Sequence, residues 1–300
     1  MNKENLKQNF AKFHDKNYKK ILIIPVLLFL LSIIYITSFY STNHDLFKKD
    51  VSLTGGTSVT IYDSSINLED LEKNVSNFLT NLNFKKISDF STNSQKAVVI
   101  ETQSDENLTK TVLENYLGYK LNNENSSFEF SGSSLSQGFY KQLIFALILA
   151  FVLMSLVVFF QFKTFIPSFA VILSAFGDVF FALVLVDIFG IKISSAGIVA
   201  FLMLIGYSVD TDILLTNRVL KRENKSINYE IWGSFKTGIT MTLTSLFAVL
   251  ASFIIVGSLS NILYQIFLIM TFGLCADIIN TWVTNVCIIK WYAINKEKKN

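Results

Sequence analysis

The stretch Gly206-Tyr207-Ser208-Val209-Asp210-Thr211-Asp212-Ile213-Leu214-Leu215-Thr216 puts two carboxylates inside an apolar run, from Ile193 to Thr216, long enough to cross a bilayer as a helix. A charge at that depth costs roughly 3 kcal/mol on insertion scales unless it faces a bundle interior or water; acids kept there read as a route for protons or ions. Two residues apart on a helix, Asp210 and Asp212 project ~200° from each other, so they cannot enter the same cleft. Two readings stand. One is a reversible proton carrier, made possible by burial that disfavours the charged form; the other is an acid held by Ser and Thr hydroxyls that locks helix packing.

Asp277, with Asn280, Thr281 and Thr284 on nearby turns, and Asp178, beside Gly177, are lone acids at similar depth in two other apolar segments. A polar cluster shared by three segments is geometrically possible. The other reading is local hydrogen bonding between helices, worth only ~0.6 kcal/mol on average in membranes. Thr240 and Thr244 share one face at i,i+4 in a segment that also carries Thr242 and Ser245. They either aid close packing or line a water chain toward Asp210 or Asp212. Asp187, near the end of its segment, is expected to be solvated.

The elements that position these residues follow from hydropathy. The chain has 300 residues, 51% hydrophobic and 16% charged, which excludes a disordered chain and an ordinary soluble enzyme. Six membrane-length segments run over roughly 21–40, 139–161, 165–190, 193–217, 237–259 and 262–289. The first ends Ser38-Phe39-Tyr40; it is too long for a cleaved signal peptide and lacks a small-residue cleavage site. Basic residues gather on one side: Lys3, Lys7, Lys12, Lys16, Lys19 and Lys20; Lys163; Arg218, Lys221, Arg222, Lys225 and Lys236; Lys290, Lys296, Lys298 and Lys299. By the positive-inside rule that side is cytoplasmic, so a multi-pass protein of the plasma membrane is expected with both termini in the cytoplasm. The basic runs read as topology signals and contacts with anionic membrane lipids, not as a nucleic-acid surface. The expected layout is a cytoplasmic segment 1–20, a first span 21–40, an external domain 41–138, a bundle of spans two to six over 139–290 and a tail 291–300.

The external segment reads as strand, helix, strand, strand, helix, strand. Leu53–Tyr62 is rich in Thr and Val; Asn67 caps a helical pattern; Phe84–Phe90 and Ala97–Thr102 read as strands joined by Ser91–Lys96; Asp105–Lys120 repeats the helical pattern, and Ser127–Phe130 closes the unit. That order is the small α+β, ferredoxin-like βαββαβ unit, on an otherwise α-helical membrane protein. Gly55-Gly56-Thr57 reads as a turn or bulge needing positive φ, or as a close approach of backbone to a partner. No cofactor, metal or enzymatic site is expected. The two histidines, His14 and His44, lie on opposite sides of the membrane, Cys275 and Cys287 are ~18 Å apart on a helix, and no phosphate-binding glycine loop occurs.

Several of these strings resemble one family. Gly55-Gly56-Thr57 resembles the signature that opens the external domain of SecD and SecF export proteins. The string Gly206 to Asp212, with Arg218 following, is similar to the fourth-span motif of SecF proteins in archaeal form. Thr237-Gly238-Ile239-Thr240-Met241-Thr242-Leu243-Thr244 is similar to their Thr-rich fifth span, and Ala276-Asp277-Ile278-Ile279-Asn280-Thr281-Trp282 to their sixth. Gly132 to Leu135 resembles the Gly-Pro-Ser segment ahead of the second span, with Ser133 where Pro is usual. The resemblance implies a SecD partner of like architecture, association with a SecYEG-type channel, and action on unfolded preproteins at the outer side driven by the proton-motive force. It departs from the bacterial pattern in two places. The single bacterial Asp of span four aligns with Thr211, flanked here by Asp210 and Asp212, and the bacterial Arg at the start of span five is Lys236. Asp210, Asp212, Asp277 and Asp178 are therefore the proton-relay candidates, with Thr211, Thr240, Thr244, Asn280, Thr281 and Lys236 as polar support. Two alternatives remain: a non-transporting assembly and polypeptide-binding subunit of the same complex, and half of a small-molecule efflux transporter of the resistance-nodulation-division superfamily.

Overall fold

The computed structural model describes residues 17–89, 92, 94–222, 226–256 and 260–298. Lys3, Lys7, Lys12, His14, Lys16, Phe90, Ser91, Lys225, Leu259 and Lys299 lie outside the described residues.

Among the described residues, six helices are long and apolar enough to cross a membrane: Asn17–Asn43, Ser133–Phe162, Phe165–Ile188, Ser195–Leu220, Ile227–Val256 and Ile262–Glu297, here spans one to six. Several run past the apolar segments expected. Span five starts at Ile227, not near Thr237, and span two at Ser133, not near Phe139. Hydropathy marks the lipid-embedded part of a helix, whereas its ends are set by capping and backbone geometry. In spans three and four, 56% of the apolar window is buried within the chain, against 6% in spans two and five. Spans three, four and six thus form the interior, and the others present their apolar faces outward. Span six is not one regular helix. Asn280–Asn285 form a π-turn, with Val286 N–H reaching back five residues to Thr281 O.

The chain between spans one and two folds as a separate layer. Asp50 caps a helical turn, Val51–Thr54, through Ser52 N at 3.1 Å. β1 (Gly56–Ile61), β2 (Asn83–Ser88), β3 (Gln95–Thr102) and β4 (Ser126–Ser131) form one antiparallel sheet in the order β2-β3-β1-β4. Helices Leu68–Val75 and Glu106–Leu117 follow β1 and β3 and supply Leu71, Val75 and Leu113 to a core with Val59, Ile61, Val98 and Ile100. Asn67 and Asp105 cap them by accepting from Glu69 N at 3.0 Å and Asn107 N at 3.1 Å.

The strand expected from Leu53 begins instead at Gly56. Gly55 (φ 89°) and Gly56 (φ 138°) turn the chain out of Val51–Thr54 into the sheet. A side chain on Gly55 would run into the Ser133 backbone, and one on Gly56 into Thr102 O. Thr57 is buried and donates to Ser104 O at 2.8 Å. The Gly-Gly-Thr string is therefore a tight turn where the chain leaves residues 44–54, the neck between span one and the sheet.

Two apolar packs divide the bundle. One, toward the sheet, joins Phe47 and Leu53 of the neck to Ala182, Val186, Ile198, Phe201, Leu204 and Ile269. The other, toward the opposite ends of the spans, joins Ala170, Leu215, Val219, Ile231, Val286 and Ile289. Polar side chains of spans three, four, five and six fill the level between them.

Candidate functional site

The middle level is built by residues three and four apart on each helix, which share a face. Ser208, Thr211 and Asp212 come from span four, and Asp277, Thr281 and Asn285 from span six. On a regular α-helix, residues four apart drift by ~40°. The wider π-turn unwinds that drift, so Asp277, Thr281 and Asn285 all stay turned toward span four.

Asp277 is 1% exposed. Its Oδ1 accepts from Thr281 Oγ1 at 2.9 Å and faces Thr211 Oγ1 at 3.2 Å; its Oδ2 accepts from Thr242 Oγ1 of span five at 3.1 Å. Thr211 Oγ1 also lies 3.0 Å from Ser208 O, so its single proton has more than one place to go. Asp178, fully buried in span three, accepts from Asn280 Nδ2 at 2.7 Å and from Ser208 Oγ. Gly177 makes the first of these contacts feasible, since a Cβ there would sit 2.8 Å from Asn280 Nδ2. Asp212, also fully buried, accepts from Asn285 Nδ2 at 2.7 Å through Oδ1, while among the described residues no donor lies within hydrogen-bond geometry of its Oδ2. Ser174 Oγ and Thr216 Oγ1 are likewise buried with no partner in hydrogen-bond geometry among the described residues. Among the described residues, no lysine or arginine is ion-paired with any of the three acids.

Of the residues singled out from sequence, Asp178, Thr211, Asp212, Asp277, Asn280 and Thr281 meet here. Asp210 does not: it is exposed on the opposite side of span four. Thr240 and Thr244 are exposed and donate to their own helix, to Lys236 O and Thr240 O, each at 2.7 Å. Lys236 is exposed, with Nζ 5.6 Å from the Trp232 ring centre. The fifth-span hydroxyl that reaches the acids is Thr242, on the other face. Asp187 is 3% exposed rather than solvated, because Tyr35 of span one covers it and donates to Oδ2 at 3.2 Å. Sequence reasoning also missed Ser208 and Asn285. Their signal was the spacing Ser208/Asp212 and Asp277/Thr281/Asn285, every four residues.

With this geometry in view, likeness to known proteins becomes informative. Residues 109–295 match the C-terminal part of the SecD/SecF protein export membrane proteins. The chain belongs to the SecD/SecF family. It is 36% identical over 282 residues to the protein-export membrane protein SecF of Methanocaldococcus jannaschii, covering 92% of this chain and 96% of that one. It is 31% identical to the SecF of Pyrococcus furiosus, over 98% of this chain and 97% of that one. In fold it is similar to SecDF, a translocon-associated membrane protein from Thermus, with a TM-score of 0.74 and 17% identity over 92% of this chain. The chain spans only 38% of that longer SecDF chain. Family membership and the six apolar helices together make this a multi-pass membrane protein of protein export.

Proposed function

We propose that this chain is the SecF-type subunit of a protein-export machine in the plasma membrane, and that the Asp178–Asp277–Asp212 cluster takes up and releases protons to drive it. The observation that carries the reading is the cluster itself: three buried acids at mid-depth, bonded to hydroxyls and amides and, among the described residues, matched by no paired cation. An ionised carboxylate buried without a cation is costly, and a proton is the simplest neutraliser. Each hydroxyl around Asp277 both donates and accepts, so the site keeps its hydrogen bonds whether or not the acid carries a proton. Thr211, which holds the place of the single bacterial Asp, reaches Asp277; the acid is thus supplied from span six.

The apolar packs on either side close the cluster off, so passage requires one pack to loosen at a time. Moving one charge across the membrane supplies ~2.3 kcal/mol per 100 mV, enough to bias such a two-state element. Asp210 points away from the cluster and is exposed in mid-span, where lipid contact would cost ~3 kcal/mol; a SecD-like partner covering that face accounts for it. The lysine distribution supports a topology with both termini in the cytoplasm and the sheet domain outside; a SecYEG-type channel and unfolded preproteins are the partners this reading assigns to that side.

The test is export into inverted vesicles bearing the complex, with and without a proton-motive force. Asp277→Asn and Asp212→Asn are expected to remove the stimulation by the force while the subunits still copurify. Unaltered stimulation in the double variant leaves only an assembly and polypeptide-binding role.

A further inference from the structure

The neck belongs mechanically to the bundle. Phe47 and Leu53 are packed into the bundle core. Asp50 N donates to Ile193 O at 3.0 Å and Ile193 N to Lys48 O at 2.7 Å; Ser195 N donates to Ser52 Oγ at 3.1 Å. Gln265 of span six, 5% exposed, ties the same corner by donating to Lys192 O and accepting from Ser194 N at 3.0 Å. Gly197 leaves the room, since a Cβ there would come within 2.9 Å of Gln265 Oε1.

The sheet domain, by contrast, joins this base through two chain crossings that lie side by side. Gly56 pairs with Ser131, and Gly55 abuts Ser133. These adjacent crossings, one of them Gly-Gly, make a narrow connection between domain and base. Beside it, reaching to Gly56 and Ser131 themselves, a cavity of about 340 Å³ lies between domain and base, lined by Ser58, Glu101 and Glu129 on one side and Asp50, Ser195 and Gln265 on the other. One set of charges bridges the gap. Lys85 Nζ of β2 lies 2.6 Å from Glu101 Oε1 of β3 and 3.6 Å from Asp50 Oδ2 of the neck, while Asn83 Nδ2 donates to Glu101 Oε2 at 2.8 Å.

We propose that Asp50 of the neck and the Lys85–Glu101 pair of the sheet form a latch that holds the external domain down on the outer ends of spans four and six, and that the domain lifts about Gly55–Gly56 when the latch opens during the working cycle. This rests on the export reading above for its purpose, not for its geometry. Gln265 and Asp277 are twelve residues apart on span six, ~18 Å along the helix, so a rigid rod links the latch corner to the acid cluster. The charges facing Asp50 are Lys85 and Glu101 on the sheet, Lys192 and Lys48 beside it on the base, and Glu129 across the cavity. Burial, then Glu101, pushes the Asp50 carboxyl up to about 6, with Lys85 and the Ser52 N–H pulling the other way. Burial also pushes Glu101 up, but Lys85 and Asn83 outweigh it and hold that acid below its ordinary value, charged. A carboxyl raised only in the closed state binds its proton more tightly there. With its proton Asp50 can donate to the charged Glu101, whereas without it two carboxylates crowd one lysine, so the latch is strongest below the free Asp value, near 4, and weakens as external pH rises through about 6.

Two measurements on the full complex test this. In the first, Ser58→Cys and Ser195→Cys, from the two sides of the cavity, are joined by a short cleavable bis-maleimide. Cross-linking is expected to suppress export several-fold while subunit assembly persists, and cleavage of the linker to restore it. Failure to cross-link, or full export while cross-linked, overturns the proposal. In the second, without any proton-motive force, labelling of Ser58→Cys by an impermeant maleimide is compared with the exposed Ser64→Cys. The ratio is expected to rise several-fold from pH 5 to pH 7.5 and to be flat when Asp50→Asn is added. A flat ratio with Asp50 intact overturns the latch even if the proton reading of the mid-span acids stands; loss of proton coupling in Asp277→Asn with this ratio intact does the reverse.

Discussion

Glu101 and Asp277 are equally inaccessible, each 1% exposed, yet they are neutralised in opposite ways. Glu101, at the sheet, has Lys85 at 2.6 Å and the amide of Asn83. Asp277, in mid-span, has three threonine hydroxyls. An acid matched to a lysine stays charged, and its bonds hold one geometry; removing either partner strands the other. An acid surrounded by hydroxyls can gain or lose a proton while its neighbours reverse their bonds. On the function proposed above, fixed charge serves the clasp and exchangeable charge the carrier.

The largest expected effect breaks the carrier side. Asp277→Asn combined with Asp212→Asn should reduce export stimulated by the proton-motive force to the level of complexes lacking the chain, in a vesicle export assay. Next comes the clasp side. Lys85→Ala strands Glu101 and should destabilise the sheet domain by about 2–3 kcal/mol, read by thermal or denaturant unfolding of the purified complex. Lys85→Arg should recover most of that loss.

A smaller effect sharpens the contrast within span five. Thr242→Val removes a hydroxyl from Asp277 and should cost about 0.6–1.7 kcal/mol of helix-bundle stability. Thr240→Val and Thr244→Val, whose hydroxyls bond only their own helix, should cost nearly nothing. Unfolding in mixed micelles ranks the three, and equal losses would mean that the burial difference does not govern them. The smallest effect on the isolated chain is expected for Asp210→Asn, which touches no interior contact; its effect should show instead as weaker copurification of the SecD-like partner.

That ranking also marks where the sequence was readable. Six apolar stretches and the cap Asn67 could be read directly, because lipid and unpaired helix ends impose strict local demands. Asp178, Asp212 and Asp277 stood out as acids in apolar surroundings. The rotation of span five did not, because Thr240, Thr242 and Thr244 are alike in hydropathy and only packing against span six decides which turns inward. The π-turn at Asn280–Asn285 has no periodic signal, yet it keeps Asn285 on Asp212. Lys85, Glu101 and Asp50 are far apart in the chain and ordinary for a surface; only the folded sheet brings them together over the neck.

The central claim is that the mid-span acids carry protons. It is tested most directly by proton flux in sealed vesicles containing the purified complex, with a pH-sensitive dye trapped inside and an imposed potential. The account predicts flux through the intact complex and none above the lipid background with Asp212→Asn and Asp277→Asn together. Equal flux from both complexes would contradict it.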